Sequence, residues 1–79
     1  MDEMKAFIEF VAKTLVDHPD EVQVTEVESE KARVLQLRCN KEDVGQIIGR
    51  GGRTIKALRT LLVTAAAKHD LRAALEILD

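Results

Sequence analysis

The feature that most constrains the fold is a cluster of glycines near the middle of the chain. Three of the four glycines fall within the four residues Gly49-Arg50-Gly51-Gly52. Aliphatic residues repeat at helical spacing on both sides of this segment, a pattern typical of amphipathic helices. The sequence therefore predicts a tight loop held between two helices, and this loop is the candidate functional surface.

The first half of the chain predicts one helix and two strands. Met4, Phe7, Ile8, Val11 and Leu15 form one helical stripe, which predicts a helix at about 3 to 17. Pro19 cannot continue that helix. Alternating apolar residues predict strands at about 22 to 28 and 32 to 39, and the short connection predicts that they pair antiparallel. Val27 breaks the alternation, which predicts either a bulge or a change of face.

The second half predicts two helices and a last strand. Asn40 is a good N-cap for a short helix at about 41 to 48, with Asp43 returning a carboxylate in a capping box. Gly49 ends this helix in a left-handed conformation. A long helix follows at about 53 to 68, and alternation predicts a strand over 72 to 78. The expected architecture is α+β, with a mixed three-stranded sheet covered on one face by three helices.

Composition narrows the class of protein. Seventy-nine residues, 46% hydrophobic and 33% charged, predict one small globular domain over 1–79. No apolar run reaches the ~18 residues of a membrane span, and the start of the chain is acidic, so we expect a cytoplasmic protein without membrane contact. The single Cys39 is expected to be a buried hydrophobe. His18 and His69 are expected at helix ends. Neither pattern predicts a metal, a cofactor or enzymatic activity.

The charge is unevenly distributed along the chain. The net charge of −2 argues against a nucleic-acid partner. However, residues 1–30 hold two basic and nine acidic residues, whereas residues 31–79 hold ten basic and five acidic ones. The glycine loop therefore lies in the positive half, as a phosphate-binding surface requires.

Two common phosphate-binding motifs fail by position. A Walker A loop counted from Gly45 would need glycine and lysine where Arg50 and Gly51 stand, and a dinucleotide fingerprint would need glycine at Thr54. Helix, GxxG loop and helix remain. In this arrangement, amides and the positive end of a helix dipole face a sugar-phosphate backbone.

The segment Ile48-Gly49-Arg50-Gly51-Gly52-Arg53-Thr54-Ile55 resembles the I-G-x-x-G-x-x-I signature of K-homology (KH) domains. The element order αββααβ resembles the type II form of that fold. The segments Val16-Asp17-His18-Pro19 and Lys56-Ala57-Leu58-Arg59-Thr60 are similar to the small bacterial KhpA (YlqC-like) RNA-binding proteins. This resemblance implies a post-transcriptional regulator or RNA chaperone that forms homodimers and pairs with a larger KH-containing protein of the KhpB (Jag-like) kind.

The expected site binds single-stranded RNA. Backbone amides of Gly51, Gly52 and Arg53 contact phosphate, and positive charge comes from Arg50, Arg53 and Lys56. Bases rest in a shallow aliphatic groove. The predicted site residues are Val44, Ile47, Ile48, Gly49, Arg50, Gly51, Gly52, Arg53, Ile55 and Lys56.

Two further expectations bear on function. The two aromatics, Phe7 and Phe10, are expected to be core residues rather than base-stacking platforms. The alternative function is a protein-interaction adapter acting through dimerisation, which the continuous apolar run Leu61-Leu62-Val63 supports.

Overall fold

A computed structural model describes residues 2–78, which form three helices and three strands in the predicted order. Residues 1 and 79, the ends of the predicted domain, lie outside the described residues. The elements are α1 (Asp2–Leu15), β1 (Gln23–Glu28), β2 (Ala32–Arg38), α2 (Val44–Ile48), α3 (Arg53–Ala67) and β3 (Arg72–Leu78). Short 3-10 turns at Pro19–Glu21, Lys41–Asp43 and Arg50–Gly52 connect them.

The sheet has the order β1-β2-β3. β1 and β2 form the predicted antiparallel hairpin, and β3 lies parallel to β2 with Leu35 opposite Leu75. The β1–β2 register is one-to-one from Gln23 to Glu28, so the predicted alternative of a bulge at Val27 is wrong. Val27 instead lies on the opposite face from Val24 and is 48% exposed.

The core lies between one face of the sheet and the helices. Every second residue of β2 points inward, and Leu35 and Leu37 are completely buried against Ile8 of α1 and Leu62 of α3. Apolar burial of this kind stabilises a small domain by roughly 25 cal/mol for each Å² removed from water. These side chains confirm the α+β arrangement with the helices on one face.

The helices differ from expectation at their ends. α1 ends at Leu15, before the predicted residue 17, and the predicted helix at 41 to 48 is α-helical only from Val44. Asn40 is confirmed as an N-cap, because its side chain accepts a hydrogen bond from the amide of Glu42 at 2.8 Å. The predicted capping box is wrong: the side chain of Asp43 does not cap and bonds elsewhere in the molecule.

The two phenylalanines are not core residues. Phe7 is 41% exposed and Phe10 is 68% exposed, because α1 buries Ile8 and Ala12 against the sheet and turns its neighbouring face outward. The apolar stripe predicted from the sequence was therefore too wide, because it included Phe7, which is exposed. Within residues 2–78, no helix has both the length and the apolar character that crossing a membrane requires.

Candidate nucleic-acid interface

The glycine loop joins the end of α2 to the start of α3 through a backbone that needs glycine. Gly49 has φ 79° and ψ 169°. Its positive φ is as predicted, but the conformation is extended rather than left-handed helical. Backbone angles with this combination of φ and ψ are adopted almost only by glycine. A Cβ at Gly49 would also lie 2.8 Å from the Cβ of Thr54, so the loop and the first turn of α3 fit together only without a side chain there.

Two consecutive left-handed residues, Gly51 and Gly52, then turn the chain into α3, with φ values of 65° and 75°. An added Cβ at either position would meet nothing within 4 Å. The tip of the loop is therefore open, and a bulky ligand backbone can approach it.

The loop already uses two of the three amides predicted to contact phosphate. The Gly52 amide donates to the Gly49 carbonyl oxygen at 3.0 Å, and the Arg53 amide donates to the carbonyl oxygen of Arg50. These two amides stabilise the turn, which corrects the prediction for them. The Gly51 amide has no backbone acceptor among residues 2–78 outside its own short 3-10 turn, and it lies at the exposed tip.

The charged side chains of the loop and of α3 all have one sign. Arg50, Arg53 and Lys56 are all exposed, and none forms an ion pair with another residue of the described chain. Residues 44 to 69 contain five basic residues and no acidic one. Because no carboxylate within residues 2–78 forms an ion pair with these side chains, the loop and the first turns of α3 form a positive surface suited to phosphate.

The predicted aliphatic groove is smaller than the sequence suggested. Ile47 is completely buried and Ile55 is 7% exposed, and both belong to the hydrophobic core. Val44 is half-buried and Ile48 is 37% exposed. Val44 and Ile48 are therefore the two predicted groove residues with accessible apolar surface, while Ile47 and Ile55 support them from below.

Sequence reasoning missed the contact made by Arg59. Its Nε and Nη2 atoms donate to the carbonyl oxygen of Leu75 at 3.3 and 3.2 Å, which joins α3 to β3. Arg59 follows Arg53 and Lys56 along α3 at a spacing of three residues. The structure shows that Arg59 is occupied by the sheet.

Sequence reasoning also missed a buried carboxylate beside the site. Asp43 is 1% exposed, and its Oδ2 atom lies 2.9 Å from Nδ1 of His18. Burial alone would raise the pKa of Asp43, but hydrogen bonds from the His18 ring and from backbone amides outweigh burial and lower this pKa below its usual range. The same bond raises the pKa of His18. A single Asp in a polar turn carries no sequence signal for such a partner.

The remaining candidate side chains offer no reactive or metal-binding centre. Cys39 is 7% exposed, as predicted, and burial raises the pKa of its thiol, so the thiol is neutral and a poor nucleophile. Within residues 2–78, no group of three or more His, Cys, Asp or Glu side chains is arranged to hold a metal ion.

A helix, a GxxG loop and a second helix, packed with a third helix on one face of a mixed three-stranded sheet, define a KH domain of type II. The family model described as "KhpA/KhpB, KH domain" matches residues 5–77 of this chain. The chain therefore belongs to the KhpA/KhpB family of KH domains, which is not a family of enzymes.

Relatives of similar length support this assignment. The chain is 54% identical over 72 residues to the RNA-binding protein KhpA of Borreliella burgdorferi, covering 91% of this chain and 88% of the relative. It is 46% identical over 76 residues to that of Chlamydia pneumoniae, covering 96% and 97%. With that of Aquifex aeolicus it shares 44% identity over 79 residues, covering 100% of both chains. No solved structure gives a significant match.

Proposed function

We propose that this protein is a single-domain binder of single-stranded RNA that grips the sugar-phosphate backbone at the loop Gly49-Arg50-Gly51-Gly52. One observation carries the proposal: between two helices stands an open turn whose backbone requires glycine at three positions, and the positive side chains around it form no ion pair within residues 2–78. The relatives named RNA-binding protein KhpA support the same activity. We place the protein among cytoplasmic post-transcriptional regulators or RNA chaperones.

In this mechanism, about four nucleotides lie across the loop. The Gly51 amide donates to one phosphate, and Arg50 at the tip and Arg53 in the first turn of α3 neutralise its neighbours. Lys56 lies one turn further along α3 and extends the positive stripe. Bases rest against Val44 and Ile48, and affinity comes mainly from charge, so sequence specificity is low.

The loop is tested by the double change Arg50→Asp with Gly51→Asp. Both positions are exposed and a Cβ at Gly51 meets nothing, but the φ of 65° at Gly51 strains an aspartate there by roughly 1 kcal/mol. Circular dichroism of the variant should confirm that it is folded before binding is measured. The new carboxylates stand where phosphate is expected and should abolish binding to an eight-nucleotide single-stranded RNA of random sequence, measured by fluorescence anisotropy.

The matched control lowers the net charge by the same three units, but in the β1–β2 turn. The double change Ser29→Asp with Lys31→Asp affects two exposed residues between the end of β1 and the start of β2. It should bind the oligomer with no more than a small loss from long-range repulsion. Binding by the loop variant equal to that of the control would rule out the loop as the site.

Salt provides a second check on the phosphate contacts. If three or four phosphates are neutralised, the logarithm of affinity should fall with the logarithm of salt with a slope of roughly −2 to −3. Affinity should then drop on the order of 20- to 60-fold between 50 and 200 mM salt. A flat response would contradict a backbone grip.

A second candidate function is that of a protein-interaction adapter with RNA binding secondary. Leu61 and Val63 flank the buried Leu62 on α3 and are 49% and 51% exposed, so each offers apolar surface to a partner. We propose that the chain forms homodimers and also pairs with a larger KhpB-like protein. Two loops in one dimer would raise RNA affinity through effective concentration. Sedimentation showing only monomer at micromolar concentration would contradict self-association.

A further inference from the structure

The buried carboxylate of Asp43 joins two segments that lie far apart in the chain. Its Oδ2 atom accepts a hydrogen bond from the backbone amide of His18 at 3.0 Å, and its Oδ1 atom accepts one from the amide of Asp17 at 3.4 Å. Nδ1 of the His18 ring lies 2.9 Å from Oδ2. Asp43 immediately precedes α2, so these bonds attach the start of α2 to the connection between α1 and β1.

α2 is short, so its position depends on tertiary contacts such as this attachment. α2 has five residues, of which Ile47 is the one that is buried. A helix this short has no stability of its own, so tertiary contacts decide where it stands. α3, on the other side of the loop, has 15 residues and buries Ile55, Leu58, Leu62 and Ala66. The glycine loop thus connects α3, which many buried side chains hold in place, to α2, which has only one buried side chain.

We propose that Asp43 is a positioning residue for RNA binding: by holding the start of α2 against the α1–β1 connection, it fixes where Gly49 and Arg50 stand relative to the first turn of α3. This inference rests on the proposed function of the loop. Asp43 is 1% exposed, so its side chain does not touch the RNA. Its effect reaches the ligand through the backbone of α2, which runs directly from Val44 to the loop.

The ring of His18 makes this attachment sensitive to pH. Protonation of the ring turns its contact with Asp43 into an ion pair, which strengthens the attachment. The other charged or titratable groups around the ring and the carboxylate are Glu21 in the 3-10 turn after His18, Glu42 beside Asp43, and the Cys39 thiol after β2. The carboxylate of Glu21 is fixed in position, because its Oε2 atom accepts a hydrogen bond from Nδ2 of Asn40 at 3.0 Å.

The decisive variant is Asp43→Asn, because an asparagine amide group cannot accept hydrogen bonds from all three donors. Its affinity for an eight-nucleotide single-stranded RNA should fall roughly 2- to 30-fold, the range over which a change outside a binding site alters affinity. The salt slope should stay that of the parent, because no phosphate contact is removed. Wild-type affinity should also be higher at pH 6 than at pH 8, and His18→Gln should reduce that difference.

A second readout observes the loop without RNA. All four glycines of the chain lie in α2 or the loop, so the glycine amide signals of a ¹⁵N–¹H spectrum report on this region alone. Asp43→Asn should shift the signals of Gly49, Gly51 and Gly52. The matched control is Val24→Ala, which truncates a buried side chain of the edge strand β1 and lowers stability while leaving the hydrogen bonds of Asp43 in place. It should leave both the RNA affinity and the glycine signals unchanged.

The outcomes separate this inference from the proposed function. If the wild-type protein does not bind the RNA, the proposed function fails, while the glycine signals still decide whether Asp43 positions the loop. Parent-like affinity and parent-like glycine signals in Asp43→Asn would overturn the inference, as would an equal loss of affinity in Val24→Ala.

If Asp43→Asn does not fold, His18→Gln replaces it as the test variant, since both backbone hydrogen bonds to Asp43 remain. A His18→Gln salt slope smaller by about one would indicate a direct phosphate contact and would also overturn it.

Discussion

The side chain of Thr54 fills the space beside the α-carbon of Gly49. A Cβ at Gly49 would overlap the Thr54 hydroxyl oxygen and lie 2.8 Å from its Cβ and 3.0 Å from its backbone nitrogen. The backbone of Gly49, with φ 79°, also lies outside the regions that other residues adopt. The first glycine of the loop is therefore required by packing and by conformation together.

Gly49→Ala should consequently lower the free energy of unfolding by roughly 2 to 4 kcal/mol, from backbone strain and overpacking combined. Urea denaturation followed by circular dichroism measures it. Gly45→Ala is the matched control, because Gly45 lies in α2 with nothing within 4 Å of an added Cβ. That change should be neutral or stabilising by roughly 0.4 to 1 kcal/mol. Equal effects at the two positions would show that Thr54 does not confine Gly49.

The contact between His18 and Asp43 makes stability depend on pH in a predictable direction. The hydrogen bond to Asp43 raises the pKa of His18, so its contribution is fully present below the ordinary histidine pKa of about 6.5 and is lost as the pH rises through the folded-state value. The pKa of Asp43 is lowered despite burial, so its contribution is present above the ordinary aspartate pKa of about 3.9 and is lost as the pH falls through the lower folded-state value.

The wild-type free energy of unfolding should therefore decrease between pH 6 and pH 8, measured by urea denaturation at each pH. His18→Gln should show a clearly smaller decrease. His69→Gln is the matched control, because the ring of His69 makes no hydrogen bond among residues 2–78, and it should keep the wild-type profile. A His18→Gln profile that follows the wild type would contradict this assignment.

The elements of the fold could be predicted because each carries its own local signal. Leu35 and Leu37 in β2, and Leu58 and Leu62 in α3, follow the periods of a strand and a helix, and all four are buried as that pattern predicts. The glycine loop could be placed in the same way. Its position follows from residue type and from the apolar stripes on both sides, whereas the extended conformation of Gly49 goes with its packing against Thr54.

The errors arose where tertiary contacts compete with local patterns. Phe7 fits the helical stripe of α1, yet it stays exposed while Met4, Ile8, Val11 and Ala12 pack into the core. Asp43 fits a capping box, but amides 25 and 26 residues earlier in the chain offer a better partner for a buried carboxylate. No pattern in a single sequence reveals a bond between residues so far apart.

Arg53 and Arg59 should differ in what they do for RNA binding, although they lie on the same helix. Arg53 is exposed and forms no ion pair within residues 2–78, so Arg53→Ala should lower affinity and reduce the magnitude of the salt slope by about one. Arg59 donates two hydrogen bonds to the carbonyl oxygen of Leu75. Arg59→Ala should lower stability by roughly 1 kcal/mol and leave the salt slope unchanged.

Anisotropy titrations of a single-stranded RNA at several salt concentrations, with urea denaturation of both variants, distinguish the two roles. Arg59→Lys serves as a control, since it keeps the charge but loses the two-donor geometry toward Leu75. It should resemble Arg59→Ala in stability more than the parent. Equal changes in salt slope for Arg53→Ala and Arg59→Ala would show that the whole basic face contacts phosphate.

The turn that follows α3 contains the one non-glycine residue with positive φ in the described chain, Asp70 at 57°. Its amide donates to the Ala67 carbonyl oxygen and the Leu71 amide donates to that of Ala66, each at 3.1 Å, a helix ending that usually carries glycine. Asp70→Gly removes both the strained φ and a negative charge at the negative end of the helix dipole, and should raise the free energy of unfolding by roughly 1 kcal/mol. Asp70→Asn removes the charge alone and should give the smaller gain in urea denaturation. If the two variants were equally stable, the backbone of Asp70 would carry no cost.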